Sequence, residues 1–506
     1  MRQVFAGFLP VVLAACSAAP VARPPAPAAP AEVPAIQDVF DGLRGADCGS
    51  HLAQAAEIAR SPAFATDHDA KEQVVFLWQI ANCAMNQKEY QVAFDHADRA
   101  TTLKPDIPWL QVIRLYLGMS LDRPDASLDA LDVLSRIGPG EVRGADVEVI
   151  GDLLRAAREA DPDGDQELEA HEALVRIGYV PTAPYFDDFL KMDHARLLLE
   201  RNRVEEARAR LVGIVDIDFV VEMRVDRLYD PLRGDPAFEA QLDVAAAAER
   251  DVARSREAMA ANPRLMEAVY MHSMVLLAAM RDAEGLAAIQ QALERDAADP
   301  EAFTDGDDFR NWLVNMHGYF LYNLGRVDEG RAALQEAAGL KERGEVNVSN
   351  IINYGSYLLL EGKAKDAYDL LPRIGEPSPY GRGWIEEIRA CAGAQLGDAE
   401  LKRAGLEYLE AHESDNPAAR TRALLCADDL DAAAALMIRR LENRETRREA
   451  LLALQITPPR SAVGLPHRTF LRDQYAALRE RPDVLAAALA VGRIETVPVR
   501  PGSETR

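Results

Sequence analysis

Aromatic residues are scarce in this chain: Trp, Tyr and Phe together make 6 % of its 506 residues. Strands draw on aromatic and β-branched side chains, and strict apolar–polar alternation is scarce as well, so a sheet protein is not expected. Ala, Leu, Glu, Asp and Arg prevail instead, and these favour long helices. Positive charge is also short. Lys and Arg number 57 against 82 Asp and Glu, for a net charge of −25. A surface of that sign repels phosphate backbones and anionic headgroups, which excludes nucleic acid from the expected partners. No apolar run reaches the roughly 20 residues that a bilayer-spanning helix needs. There is no nucleophile elbow, no glycine-rich phosphate loop and no HExxH. The nine histidines stand apart, none four residues from another, and read as surface or core-edge side chains. No catalytic residue, cofactor or metal ligand is therefore assigned, and the chain is not expected to be an enzyme.

The first residues carry the clearest signal. Met1-Arg2-Gln3 is a cationic start, residues 4–12 are apolar, and Leu13-Ala14-Ala15-Cys16 follows. A charged, then apolar, then small-residue order is that of a secretory signal. The Leu-Ala-Ala-Cys box resembles the lipobox of bacterial lipoproteins. That resemblance implies removal of residues 1–15, acylation of Cys16 and tethering at the bacterial cell envelope. Ser17 follows the cysteine where an Asp would imply inner-membrane retention, so the outer membrane facing the periplasm is expected. Losing Arg2 makes the remaining chain one unit more negative, and the lipid anchor must hold the membrane without basic help. Residues 16–36, rich in Pro and Ala, read as an extended tether.

Beyond the tether, apolar residues recur at helical spacing with short polar breaks. Residues 74–107 place Leu77, Ile80, Ala81 and Met85, then Tyr90, Ala93, Ala97, Ala100 and Pro105. Ala81, Ala93 and Ala100 stand where two helices of a hairpin approach closely. This pattern resembles the tetratricopeptide repeat. The register returns in 188–221, 266–299, 311–344 and 348–381, and more weakly in 108–137, 383–412 and 414–447. The resemblance implies an all-α fold, a superhelical solenoid of tetratricopeptide-like helical hairpins. Residues 217–243 interrupt the rhythm with two Asp-Pro pairs, Asp230-Pro231 and Asp235-Pro236. They resemble the short elements that close groups of such repeats, with Phe238 and Leu242 as the plug. The expected organisation is thus a signal at 1–15, a tether at 16–36, repeat domains at 37–245 and 246–495, and a loose tail at 496–506. A second closing element is expected at 475–490.

Four cysteines remain besides Cys16. In the repeat register Cys48 and Cys83 fall on consecutive first helices, as do Cys391 and Cys426, and an exported chain meets an oxidising compartment. One or two disulfides, Cys48–Cys83 and Cys391–Cys426, are therefore expected, with four buried free thiols as the alternative. The same register puts Trp312, Asn315, Tyr319, Tyr322, Asn323 and Ser356 near a concave groove suited to peptides. The four tryptophans read mainly as packing wedges. Residues 161–172 place Asp161, Asp163, Asp165, Glu167 and Glu172 in a spacing that resembles the EF-hand calcium loop. Gln166 stands where that loop wants Gly, and a capped turn between two helices is the alternative.

Together these features point to an envelope lipoprotein acting as an interaction scaffold or adaptor for unidentified envelope proteins. An envelope enzyme with dispersed active-site residues, or a peptide- or solute-binding transport component, are the alternatives. Replacing Cys16 (Cys16→Ser) is expected to abolish fatty-acid labelling and signal removal. Labelling of the variant at the level of the unmodified protein contradicts the anchor.

Overall fold

The computed structural model describes residues 33–502 apart from residues 46, 139–145, 182–183 and 343. Residues 1–32, with Cys16 and nearly all of the expected tether, lie outside the described residues. Every element among the described residues is a helix, and the β pairing consists of three isolated bridges. The chain divides into two compact units, Met1–Leu197 and Leu198–Arg506. The boundary expected at 245 therefore falls inside the second unit.

One local device builds hairpin after hairpin. Between the two helices of each of the eight sequence windows stands a residue in the left-handed region: Lys88, Asp122, Asn202, Met280, Gly325, Gly362, Gly397 and Asp428, with φ from 57° to 79°. The next residue's N–H donates back to a carbonyl five residues earlier, as Glu89 does to Ala84 and Arg326 to Leu321, both at 2.8 Å. This closes the first helix and reverses the chain. Five of the eight sites hold non-glycine residues, which cost about 1 kcal/mol or more in this conformation. The packing gained by the paired helices offsets that cost.

In the first unit, helices Ala70–Asn86 and Tyr90–Leu103 form a hairpin, and Asp69 and Glu72 cap its start reciprocally. Ala81, Ala93, Ala97 and Ala100 are all wholly buried at the helix–helix contact. Trp78 and Trp109 meet edge to face, 4.6 Å between centroids, and act as the expected wedges. The hairpin Val147–Ala160 with Asp165–Ile177 contains the calcium-like loop, and the structure overturns that reading. Asp161 accepts the N–H groups of Asp163, Asp165 and Gln166 at 2.9–3.2 Å. Glu167 turns inward, 2 % exposed, and takes a bidentate bond from Arg158, which also reaches Asp193. A carboxylate neutralised this way does not converge with Asp161 on a cation.

In the second unit the hairpins continue from Val204–Leu211 to Leu430–Glu442. Glycine sets the closest approach. A Cβ on Gly318 would stand 2.7 Å from Leu334 and 3.1 Å from the Gly330 carbonyl, so helices Gly306–Asn323 and Val327–Gly339 meet there backbone to backbone.

The interrupting segment is a helix Ile217–Val225, a 3-10 turn Arg227–Leu232 and a short helix Pro236–Gln241. Tyr229, Phe238 and Leu242 are buried, and Asp235 caps the short helix through Ala237 and Phe238. Its role differs from expectation. It does not end a first array; it joins the start of the second unit to that unit's end. Asp226 bridges Gly492, and Arg493 N–H donates to Val225 O at 2.8 Å. Arg224 pairs with Glu495 at 2.5 Å, Arg493 with Asp230, and Arg448 with buried Glu222 at 2.8 Å. The tail is likewise corrected. Val497 and Val499 are buried, Val497 N–H donates to Ile456 O, and Arg500 N–H donates to Ala278 O. Residues 496–502 are therefore a packed strap, and 503–506 lie outside the described residues. The closing element expected at 475–490 is two helices, Pro466–Glu480 and Pro482–Val491, broken at extended Arg481.

Both expected cysteine pairs come to disulfide distance. Cα–Cα separations are 5.9 Å for Cys48–Cys83 and 5.2 Å for Cys391–Cys426, each across 35 residues. That loop length corresponds to about 3–4 kcal/mol of stabilisation per bridge on the chain-entropy model. Peptide mapping without reductant is expected to recover both linked pairs, and dithiothreitol to lower the melting temperature. Recovery of all four residues as alkylated thiols contradicts the bridges.

Candidate functional site

Every hairpin buries an apolar stripe against its neighbours, so a repeat array keeps chemistry for the faces that stacking leaves over. In the second unit those faces line a cavity of about 870 Å³, within the range of ligand sites. One wall comes from five successive first helices: Met266–Ala278, Gly306–Asn323, Val348–Leu360, Pro379–Leu396 and Pro417–Cys426. They supply Leu277, Trp312, Tyr319, Ser356, Tyr357, Trp384 and Arg422, among others. The opposite wall comes from the loop after Arg444–Ala453, from helix Pro466–Glu480, and from Arg500 on the terminal strap.

The aromatic wall is built in depth. Tyr319 and Tyr357 stack at 5.0 Å, with Tyr322 packed 4.5 Å from Tyr357. Tyr380 meets Trp384 edge to face at 6.2 Å. Guanidinium groups cross these faces. Arg422 lies 5.4 Å from the Trp384 ring and Arg468 5.8 Å from that of Tyr357, a cation–π geometry.

The arginines are held by different means. Arg422 donates to Glu387 at 2.8 Å, a carboxylate with no exposure, whose pKa burial pushes up while Arg422 pulls it down. Removing one partner of such a buried pair costs about 3–5 kcal/mol, because the other charge is stranded. Arg460 donates to Leu277 O at 2.6 Å, Arg468 to Ser461 O at 2.8 Å and Arg500 to Pro458 O at 3.5 Å. The Leu277 carbonyl lies on the first wall, so Arg460 joins the two walls, and it also pairs with Asp282 at 3.7 Å. The carbonyls bound by Arg468 and Arg500 lie within the second wall and carry no net charge. Burial, with Arg460 and Arg468 close by, pulls Arg500 down to about 10. Burial also lowers the pKa of Arg479.

Of the six groove residues expected from sequence, Trp312, Tyr319 and Ser356 line the cavity. Asn315 lies one step behind, buried, accepting from Asn353, itself a lining residue, at 3.2 Å. Tyr322 is wholly buried and donates to Glu361 at 2.5 Å; Asn323 is buried and donates to Asp282 at 2.9 Å. Tyr322 and Asn323 therefore hold hairpins together instead of facing a ligand. Trp312 and Trp384 are cavity walls more than wedges. The arginines of the second wall escaped the sequence reading. The available signal was Arg468, Arg472, Tyr475 and Arg479, spaced i, i+4, i+7 and i+11 along one helix face.

No family model matches the sequence, and no curated protein matches it. Among solved structures, the chain is similar to yeast Tom70 at 14 % identity, over 91 % of this chain and 99 % of that one, with a TM-score of 0.32. It is similar to the APC/C hetero-tetramer Cut9-Hcn1 at 11 % identity, over 91 % and 96 %, with a TM-score of 0.30. At such scores the likeness decides neither fold nor function. The helical-hairpin architecture stands on the turn geometry of this chain itself.

Proposed function

We propose that this chain is an interaction scaffold, tethered to the bacterial envelope through acylated Cys16, whose second helical unit docks a segment of an envelope protein. The observation that carries the reading is the cavity itself. A repeat array that served only as a spacer would bury its inner aromatic residues between hairpins. Here Trp312, Tyr319 and Trp384 stand half-buried along one wall, backed by buried Tyr357, and aromatic residues with Arg are the side chains enriched at protein interfaces. The signal and the Pro/Ala run support placement of this body at the end of a membrane tether.

The test is site-specific photocrosslinking in the native envelope. A benzoylphenylalanine at Ser356, inside the cavity, is compared with one at Glu336, on the exposed side of helix Val327–Gly339. A discrete crosslinked species from position 356 and none from 336 is expected. Equal crosslinking from both, or none from 356, contradicts docking in the cavity.

A further inference from the structure

The cavity gathers arginines in a protein that is acidic overall. Acidic residues outnumber basic ones in the chain, 82 to 57. Among the described residues lining the cavity, six are arginines (Arg422, Arg460, Arg468, Arg472, Arg479 and Arg500) and Glu376 is the one carboxylate. Glu387, Asp282 and Asp473, just outside the lining, pair with Arg422, Arg460 and Arg472, and the positive excess rests on Arg468, Arg479 and Arg500. Helix Pro466–Glu480 supplies half of the six. On a helix packed over an array, the inward stripe is ordinarily apolar. Here that stripe reads Arg468, Arg472, Tyr475, Arg479, and the chain's other wall meets it with tyrosine and tryptophan. Clustering cations in a partly closed space is unfavourable on its own account; the pKa of Arg500 is lowered first by burial and then by Arg460 and Arg468. Bracing of carbonyls explains Arg460, Arg468 and Arg500 in part. Arg472, half-exposed at the cavity's edge, pairs with Asp473 at 2.9 Å; neither contact accounts for Arg479, whose pKa burial in the cavity wall pulls down.

Resting on the scaffold reading above, we infer that the docked segment is an extended acidic peptide, its carboxylates on the arginine helix and its side chains between the aromatic rungs. The shape selects a linear chain over a compact anion. The wall is drawn from five successive first helices. Packed helices stand about 8–10 Å apart, and an extended chain advances about 3.3 Å per residue, so roughly three peptide residues pass each helix. Guanidinium groups match carboxylates through paired N–H donors. Ser349, Asn353 and Ser356 lie along the same path and offer hydrogen bonds to peptide amides. A nucleic acid would present its many phosphates to the acidic surface outside, which disfavours it.

The experiment uses the full chain in detergent and a fluorescein-labelled peptide of sequence Gly-Asp-Glu-Phe-Glu-Asp-Gly. Polarisation gives its affinity, and competition is measured with the same peptide carrying Lys for each acid and with inorganic phosphate. Saturable binding that weakens with salt is expected. Competition by the basic peptide should be at least tenfold poorer, and millimolar phosphate should displace little. The double variant Arg472→Gln, Arg479→Gln should weaken binding at least tenfold with unchanged circular dichroism and melting temperature. If that variant loses its helical signal, the comparison of acidic with basic peptide still decides. Absence of binding at 1 mM peptide overturns the inference, as does equal binding of the basic peptide or unchanged affinity in a folded double variant. Displacement by phosphate at equal concentration overturns it in favour of a small-anion site. Crosslinking from position 356 alongside a negative result here removes the acidic specificity and leaves the scaffold standing; acidic-peptide binding without that crosslink does the reverse.

Discussion

One buried carboxylate holds the second unit's beginning to its end. Glu222, 2 % exposed, accepts from Tyr229 Oη and from Arg448, both at 2.8 Å, across seven and 226 residues of chain. Arg448 also crosses the face of Phe219 at 5.1 Å. A charge buried this deeply is tolerated only while its partners stay in place, so the contact enforces one arrangement of segments far apart in sequence. The neighbouring pairs Arg224–Glu495 and Arg493–Asp230 extend the same seam. Gln455 adds to it, donating to Arg493 O and accepting from Glu495 N–H. Once the ends are joined, residues 455–462, the arginine helix and the strap at 495–502 must run opposite the first helices. The cavity's second wall follows from that path.

The repeat register was legible because each hairpin is a local object. Helical spacing, small residues at the close approach and a left-handed turn all fall within about 34 residues, and all eight windows carry that turn. Cysteines 35 residues apart sit one repeat apart, which is why their pairing could be argued from register. The closure was not legible. Asp230 meets Arg493 and Gly502 meets Asp218 across more than 260 residues, and no periodicity records such a contact. For the same reason the tail and the boundary at 245 were misplaced. Phe238 and Leu242 were rightly seen as plugs, but what they help close lies at the far end of the unit. Tyr322 and Asn323 have the chemistry of a groove, yet Glu361 and Asp282 claim them. The stripe of Arg468, Arg472 and Arg479 carries no mark in the sequence of which wall it will face.

The electrostatics of the unit separate attraction from approach. Net charge of −25 makes the far field unfavourable to any anion, and salt at about 0.15 M confines that field to roughly 8 Å. Inside the cavity, guanidinium groups against aromatic faces act at short range and low dielectric, where the same charges count for more. Such an arrangement weights contacts made at short range inside the cavity over long-range attraction of anions. Without the seam the arginine wall has no fixed position against the aromatic one.

Hydrogen exchange followed by mass spectrometry tests that claim most directly, comparing the full chain with the variant Arg448→Met, Arg493→Ala. The account predicts faster exchange in residues 455–462, 466–480 and 495–502, with the hairpin Gly306–Asn323 and Val327–Gly339 unchanged. Unchanged protection in the three cavity segments, or an equal rise throughout the unit, would contradict the seam as the element that builds the cavity.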